Sequence, residues 1–163
     1  MKNTLFVLIL FISFNAFAEK TYIKTHYKDG TLKAEGWIEN ELKTEHWKFY
    51  YSNGNLEKTG EFNNNLYVGF WKFYYDNKNL ESEGHFTNSN RTGFWTYFYR
   101  DKTIKKIGEF DNGSETGFWK EYFTNSNLMR EGFYSKGLFT NYWKFYHFSG
   151  KLKKKVTLQT ENL

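Results

Sequence analysis

The sequence predicts an all-β protein, an elongated single-layer antiparallel sheet of stacked 24-residue β-hairpins. Three observations predict it. Trp47, Trp71, Trp95, Trp119 and Trp143 follow one another every 24 residues without a slip, and only Trp37 stands outside the series. Gly36, Gly60, Gly84, Gly108 and Gly132 keep the same period, offset by thirteen. Tyr, Phe and Trp make up 23% of the chain, which holds neither Pro nor Cys. Aromatic residues favour strands, and without Cys the fold rests on packing alone.

The elements follow in order along the chain. Residues 1–18 read as an export signal: Lys2 is a positive start, Leu5 to Phe14 an apolar run, and Ala16-Phe17-Ala18 a small-x-small cleavage site. The run is too short to span a bilayer, and no later segment does better, so no transmembrane segment is expected after its removal. A periplasmic or secreted protein follows. The repeat domain covers 19–156, with an atypical first unit over 23–46 and copies starting at 47, 71, 95, 119 and 143. Residues 157–163 are expected to form a loose C-terminal tail.

Within each copy, Phe70-Trp71-Lys72-Phe73-Tyr74-Tyr75 is strand-prone, and a turn over Asp76 to Asn79 leads into a return strand from Leu80 to Phe86. In the preceding copy the turn is Ser52-Asn53-Gly54-Asn55, and Asn-Gly favours a two-residue hairpin turn. That turn places Trp47 opposite Gly60, Trp71 opposite Gly84, Trp95 opposite Gly108 and Trp119 opposite Gly132. Each indole is then expected to lie across the glycine facing it in its own hairpin. The same register brings together Tyr75 with Leu80, Tyr99 with Ile104, Glu121 with Arg130, Lys72 with Glu83 and Lys120 with Glu131. A polar loop such as Asn63-Asn64-Asn65 joins one hairpin to the next. Isolated hairpins are marginal in water, so the units stack edge to edge. About ten or eleven strands at about 4.8 Å each make a stack on the order of 50 Å long. Ile23 stands where a Trp belongs and Val156 where a Gly belongs, as terminal repeats usually differ.

The pattern of Gly69-Phe70-Trp71, a turn, Leu80 and Gly84-His85-Phe86 resembles the MORN repeat. More closely, it resembles the variant form of bacterial YwqK-type proteins, which are often labelled antitoxins. The resemblance implies a hairpin stack that binds proteins or, in some members, membrane lipid, and it implies no catalytic residue. An immunity-type role against a toxin is a further alternative that it brings.

No enzyme chemistry is expected, and no cofactor or metal. His26, His46, His85 and His147 lack metal-ligand spacing. His46 and His85 fall at different repeat positions, so no histidine ladder is expected. Asp29, Asp76 and Asp101 sit in turns, where Asp is favoured for backbone reasons. Glu81 and Glu83 are not singled out as a facing carboxylate pair. The tryptophans suit either a stacking platform or a structural spine, and the recurrent glycine favours the spine. The opposite face, with Phe70, Tyr74, Phe94, Phe98, Phe118 and Tyr122, is the candidate binding face, since one layer cannot bury both sides.

The formal net charge is +5, one unit of it Lys2 in the leader. Mild basicity fits an acidic partner but requires none. Lys151-Leu152-Lys153-Lys154-Lys155 suits an edge strand guarded against aggregation, or contact with anionic lipid. The expected function is a protein-binding or scaffold module in the cell envelope. Binding to anionic lipid or envelope polysaccharide is the alternative, and nucleic acid is not an expected partner.

Overall fold

A computed structural model describes residues 19–158. The expected leader and the last five residues lie outside the described residues. Twelve strands form one antiparallel sheet in sequence order: β1 (Thr21–His26), β2 (Leu32–Glu39), β3 (Leu42–Tyr50), β4 (Leu56–Asn63), β5 (Leu66–Tyr74), β6 (Leu80–Thr87), β7 (Asn90–Phe98), β8 (Ile104–Asp111), β9 (Ser114–Tyr122), β10 (Leu128–Ser135), β11 (Leu138–Tyr146) and β12 (Leu152–Thr157). The single-layer sheet of hairpins is as expected. It has twelve strands rather than ten or eleven because both atypical end units complete their hairpins.

The Trp–Gly register holds throughout: Trp47 pairs with Gly60, Trp71 with Gly84, Trp95 with Gly108 and Trp119 with Gly132. The turns that set it are arranged differently from expectation. Tyr51 donates its N–H to Asn55 O at 2.8 Å, and Gly54 donates to Tyr51 O at 2.9 Å. These bonds close a three-residue loop in which Gly54 is the residue at positive φ (81°). The extra residue is absorbed by a bulge, since Tyr50 pairs with Leu56 but Phe49 pairs with Lys58. Tyr74 and Phe98, not Tyr75 and Tyr99, therefore face Leu80 and Ile104. The two-residue turns lie at the other end of the strands, in what reads as a polar loop. Asn64 and Asn65 have φ of 50° and 65°, and Asn88 and Ser89 have 47° and 67°. Asn tolerates this left-handed region because its short polar side chain bonds locally.

A second bulge explains the Gly-Phe-Trp triplet. Thr59 pairs with Lys72 but Glu61 pairs with Val68, so β5 carries two extra residues there. Gly69 turns the chain at φ 68°, with Gly93 and Gly117 alike. The bulge also leaves backbone carbonyls without a ladder partner. The Trp71 indole N–H takes up two of them, Glu61 O at 3.1 Å and Val68 O at 3.2 Å.

The indoles do not cover the glycines of their own hairpins. A methyl group on Gly60 would overlap the Trp71 ring, one on Gly84 would overlap Trp95, and one on Gly108 would overlap Trp119. Each ring leans across the boundary onto the preceding unit. This is where the hairpins need stitching, and each ring is anchored there by its N–H on the preceding return strand. The five rings are between 0% and 2% exposed. Burying a Trp removes about 150–250 Å² from water, worth about 4–6 kcal/mol before chain entropy is counted.

Order also passes the boundary expected at 156. Thr157 pairs with Tyr142, and Leu158 donates its N–H to Asn141 O at 2.7 Å. Leu158 follows the series of Phe62, Phe86, Phe110 and Tyr134, and it packs against the same apolar cluster.

Candidate binding faces

On the tryptophan face a second tier of rings surrounds the indoles. Phe62 meets Trp71 edge-on at 5.1 Å, Phe86 meets Trp95 at 5.1 Å, and Phe110 meets Trp119 at 5.2 Å. Cations close the tier from above: Lys58 lies 4.9 Å over Phe49, Arg91 5.0 Å over Trp95 and Lys106 4.5 Å over Tyr97. Burial pushes the Tyr97 phenol up to about 12 and holds Lys106 below the ordinary lysine value. Long basic stems shield aromatic area while their charged ends reach water. At the first hairpin, where Ile23 replaces an indole, an apolar recess of about 410 Å³ opens among Ile23, Ala34, Ile38, Trp47 and Phe49.

The opposite face carries the residues expected to bind. Phe94 is 70% exposed and Phe70 43%, while Tyr74, Phe98, Phe118 and Tyr122 are half-buried. Strand pairing sets these phenylalanines in a row that crosses the sheet. Phe70 pairs with His85, Phe94 with Glu109, and Phe118 with Phe133. The row continues at one end with His46 opposite Glu61, and at the other with Phe133 meeting Tyr142 at 5.6 Å. Nothing in the sequence places His85, Glu109 and Phe133 on this row, because they occupy return strands, at another repeat position. Their signal is the register itself, which puts residue i of one strand beside residue j of the next. For the same reason His46 and His85 share a row despite their different positions in the repeat, although Glu61 and Phe70 stand between them.

The charge pairs follow the register with one redistribution. Glu121 accepts a bond from Arg130 at 2.7 Å, and Lys72 lies 3.8 Å from Glu83. Lys120 stands opposite Glu131 as expected. Glu131, however, takes its ion pair from Lys144 at 3.2 Å and the Tyr146 hydroxyl at 2.8 Å. Glu35 makes the same arrangement with Tyr50 at 2.7 Å and Lys24 at 3.3 Å. The Tyr50 hydroxyl, with help from Lys24, holds the Glu35 carboxyl below its ordinary range. Each of these pairs joins side chains on neighbouring strands. Among the described residues no three His, Asp or Glu side chains converge as a metal site. No helix there is long and apolar enough to cross a membrane.

At the turn end, tyrosines tie each hairpin to the next. Tyr27, Tyr51, Tyr75 and Tyr99 donate their hydroxyls to the carbonyls of Tyr50, Tyr74, Phe98 and Tyr122 at 2.6–2.8 Å. Asn53 and Asn55 reach Asp76 O, and Asn77 and Asn79 reach Arg100 O.

This geometry defines a class: an open repeat sheet, sealed on one face by rings and presenting the other. The MORN repeat variant model matches residues 46–64, 68–88 and 140–159, and the hairpins over those residues are MORN repeat variants. The units between the matched segments keep the same tryptophan, glycine and bulge. MORN repeats are a non-enzymatic repeat type commonly used to bind proteins or lipid. No curated protein matches the chain. Among solved structures, a GtfA/B complex bound to UDP and GlcNAc aligns at 12% identity and a TM-score of 0.27. That alignment covers 69% of this chain and 23% of the other, so the chain spans about a quarter of its length. A Bacteroides fragilis NCTC 9343 protein of unknown function aligns at 13% identity over 88% of this chain and 95% of that one, with a TM-score of 0.17. Neither likeness bears on function.

Proposed function

We propose that this chain is a non-enzymatic module, exported to the cell envelope, that binds another protein through the face opposite its tryptophans. The observation that carries the reading is the asymmetry of the sheet. One face is closed by buried indoles and their ring tier, while the other holds Phe94 70% exposed with Phe70 43% exposed one hairpin away. Apolar side chains displayed on a rigid surface are where binding energy is available. The export signal read in residues 1–18 supports the location, and the non-enzymatic character of MORN repeats supports the role.

The test is retention of envelope proteins on the immobilised chain, comparing the wild type with Phe94→Ser and Phe70→Ser. Proteins held by the wild type and lost from both variants are the expected result. If both variants retain the same proteins as the wild type, the face is not the site. A second reading, binding to anionic lipid, is favoured by Lys151, Lys153, Lys154 and Lys155, all exposed beside the free edge of β12. Each basic residue near an anionic surface contributes about 1 kcal/mol. Co-sedimentation with anionic but not neutral vesicles, abolished by changing Lys153, Lys154 and Lys155 together to Gln, would support it. No enrichment on anionic vesicles at low salt rules it out.

A further inference from the structure

We infer that the phenylalanine row is a track for a proline-rich peptide in the polyproline II conformation, with basic residues beside its prolines. The inference rests on the protein-binding reading and names the partner class.

The first argument is spacing. Phe70, Phe94 and Phe118 occur once per hairpin on neighbouring forward strands. Two strands span about 9.6 Å, so the rings recur at about that distance across the sheet. A polyproline II helix advances about 3.1 Å per residue with three residues per turn, or about 9.3 Å per turn. One ring per turn then stays in step over all three hairpins. An extended β-strand repeats its side chains every 6.8 Å or so, and falls out of step at the second ring. An α-helix contacting at every seventh residue repeats at about 10.5 Å, and drifts by about 2 Å over the same span.

The second argument is hydrogen bonding. The backbone groups of β5 to β9 are engaged with neighbouring strands, so the face has no edge to offer a β-strand ligand. A polyproline II segment needs none, because it has no internal hydrogen bonds and keeps its backbone hydrated. Aromatic surfaces are what such segments dock against.

The third argument is charge. In spatial order the row reads Glu61, Phe70, His85, Phe94, Glu109, Phe118. Among the described residues neither Glu61 nor Glu109 has an ion-pair partner within 4 Å. Both stand free to receive Arg or Lys. Phe94 is the anchor. Lys72 and Lys120 each lie 5.9 Å from the centres of Phe70 and Phe118, whereas Thr96 holds the equivalent place beside Phe94.

The test is fluorescence anisotropy of the purified protein with a labelled oligoproline of five residues carrying an arginine at each end, so that the arginines stand about 19 Å apart, matching the four strands from Glu61 to Glu109. Controls are a Gly–Ser peptide with the same arginines and an oligoproline without them. Saturable binding of the arginine-flanked oligoproline is expected, at least tenfold tighter than either control. Phe94→Ser should weaken it at least tenfold with an unchanged melting temperature, since that ring is exposed. Glu109→Gln should remove the advantage the arginines confer. Equal binding of the Gly–Ser peptide, no effect of Phe94→Ser, or no oligoproline binding overturns the inference. If Phe94→Ser still releases envelope proteins while oligoproline does not bind, the partner class is wrong and the protein-binding face stands.

Discussion

The interior hairpins and the two ends solve the same packing problem with different residues. Between β2 and β11, every glycine of the series lies under the indole of the following unit. At the start, Ile23 occupies the Trp position, and among the described residues no unit precedes it for a large ring to cover. At the end, Val156 occupies the Gly position opposite Trp143, and among the described residues no later indole falls on it. Both exceptions make sense only if tryptophan and glycine are partners across unit boundaries. Had the indole needed the glycine in its own hairpin, Val156 would collide with Trp143, and Gly36 opposite Ile23 would have no purpose. The spine is therefore a set of links between hairpins, the nearest-neighbour coupling on which a repeat stack depends.

Four changes sharpen or break this contrast. Removing an interior link should matter most: Trp95→Ala is expected to cost about 3–5 kcal/mol in urea unfolding. Ile23→Ala, at the half-buried end, should cost less than about 2 kcal/mol. Crowding a link comes next. Gly84→Val is expected to cost about 1–3 kcal/mol, with partial recovery when combined with Trp95→Ile and none with Trp71→Ile. Recovery by Trp71→Ile instead would return the ring to its own hairpin. Val156→Gly should stay within about 1 kcal/mol of the wild type.

Hydrogen-bonded links are smaller. Tyr75→Phe loses the bond to Phe98 O and should cost about 1 kcal/mol. Phe123 takes the tyrosine's place in the next repeat but one, so Phe123→Tyr should stabilise by up to about 1 kcal/mol, read from thermal melts. The last effect is a pH dependence confined to alkaline solution. Burial raises the folded Tyr97 pKa to about 12, so the unfolded chain releases this proton first, near pH 10. Tyr97 therefore contributes fully below pH 10, and its share is lost as pH rises from 10 to about 12. Melting temperature should fall through that window, and less steeply in Tyr97→Phe.

Much of this was legible in one sequence because the repeats serve as its own alignment. The 24-residue period, the Trp–Gly pairing, Glu121 with Arg130, and the face that holds Phe70 and Phe94 follow from side-chain alternation with a period of two. The turns misled because a two-residue turn and a three-residue loop compensated by one bulge leave Trp and Gly in the same register. Only the residues beyond the bulge, Tyr74 against Leu80, report the difference. The row containing His85 and Glu109 was hidden because its members are far apart in the repeat and meet only through pairing.

By itself, then, the sequence determined the architecture, since alternating aromatic strands of fixed period have one way to pack as hairpins. Tertiary structure decided which glycine each indole covers. Backbone pairing names the residue across the ladder but leaves a side chain free to lean toward either neighbouring strand. The bulge at Gly69 and its freed carbonyls draw the indole toward the preceding unit.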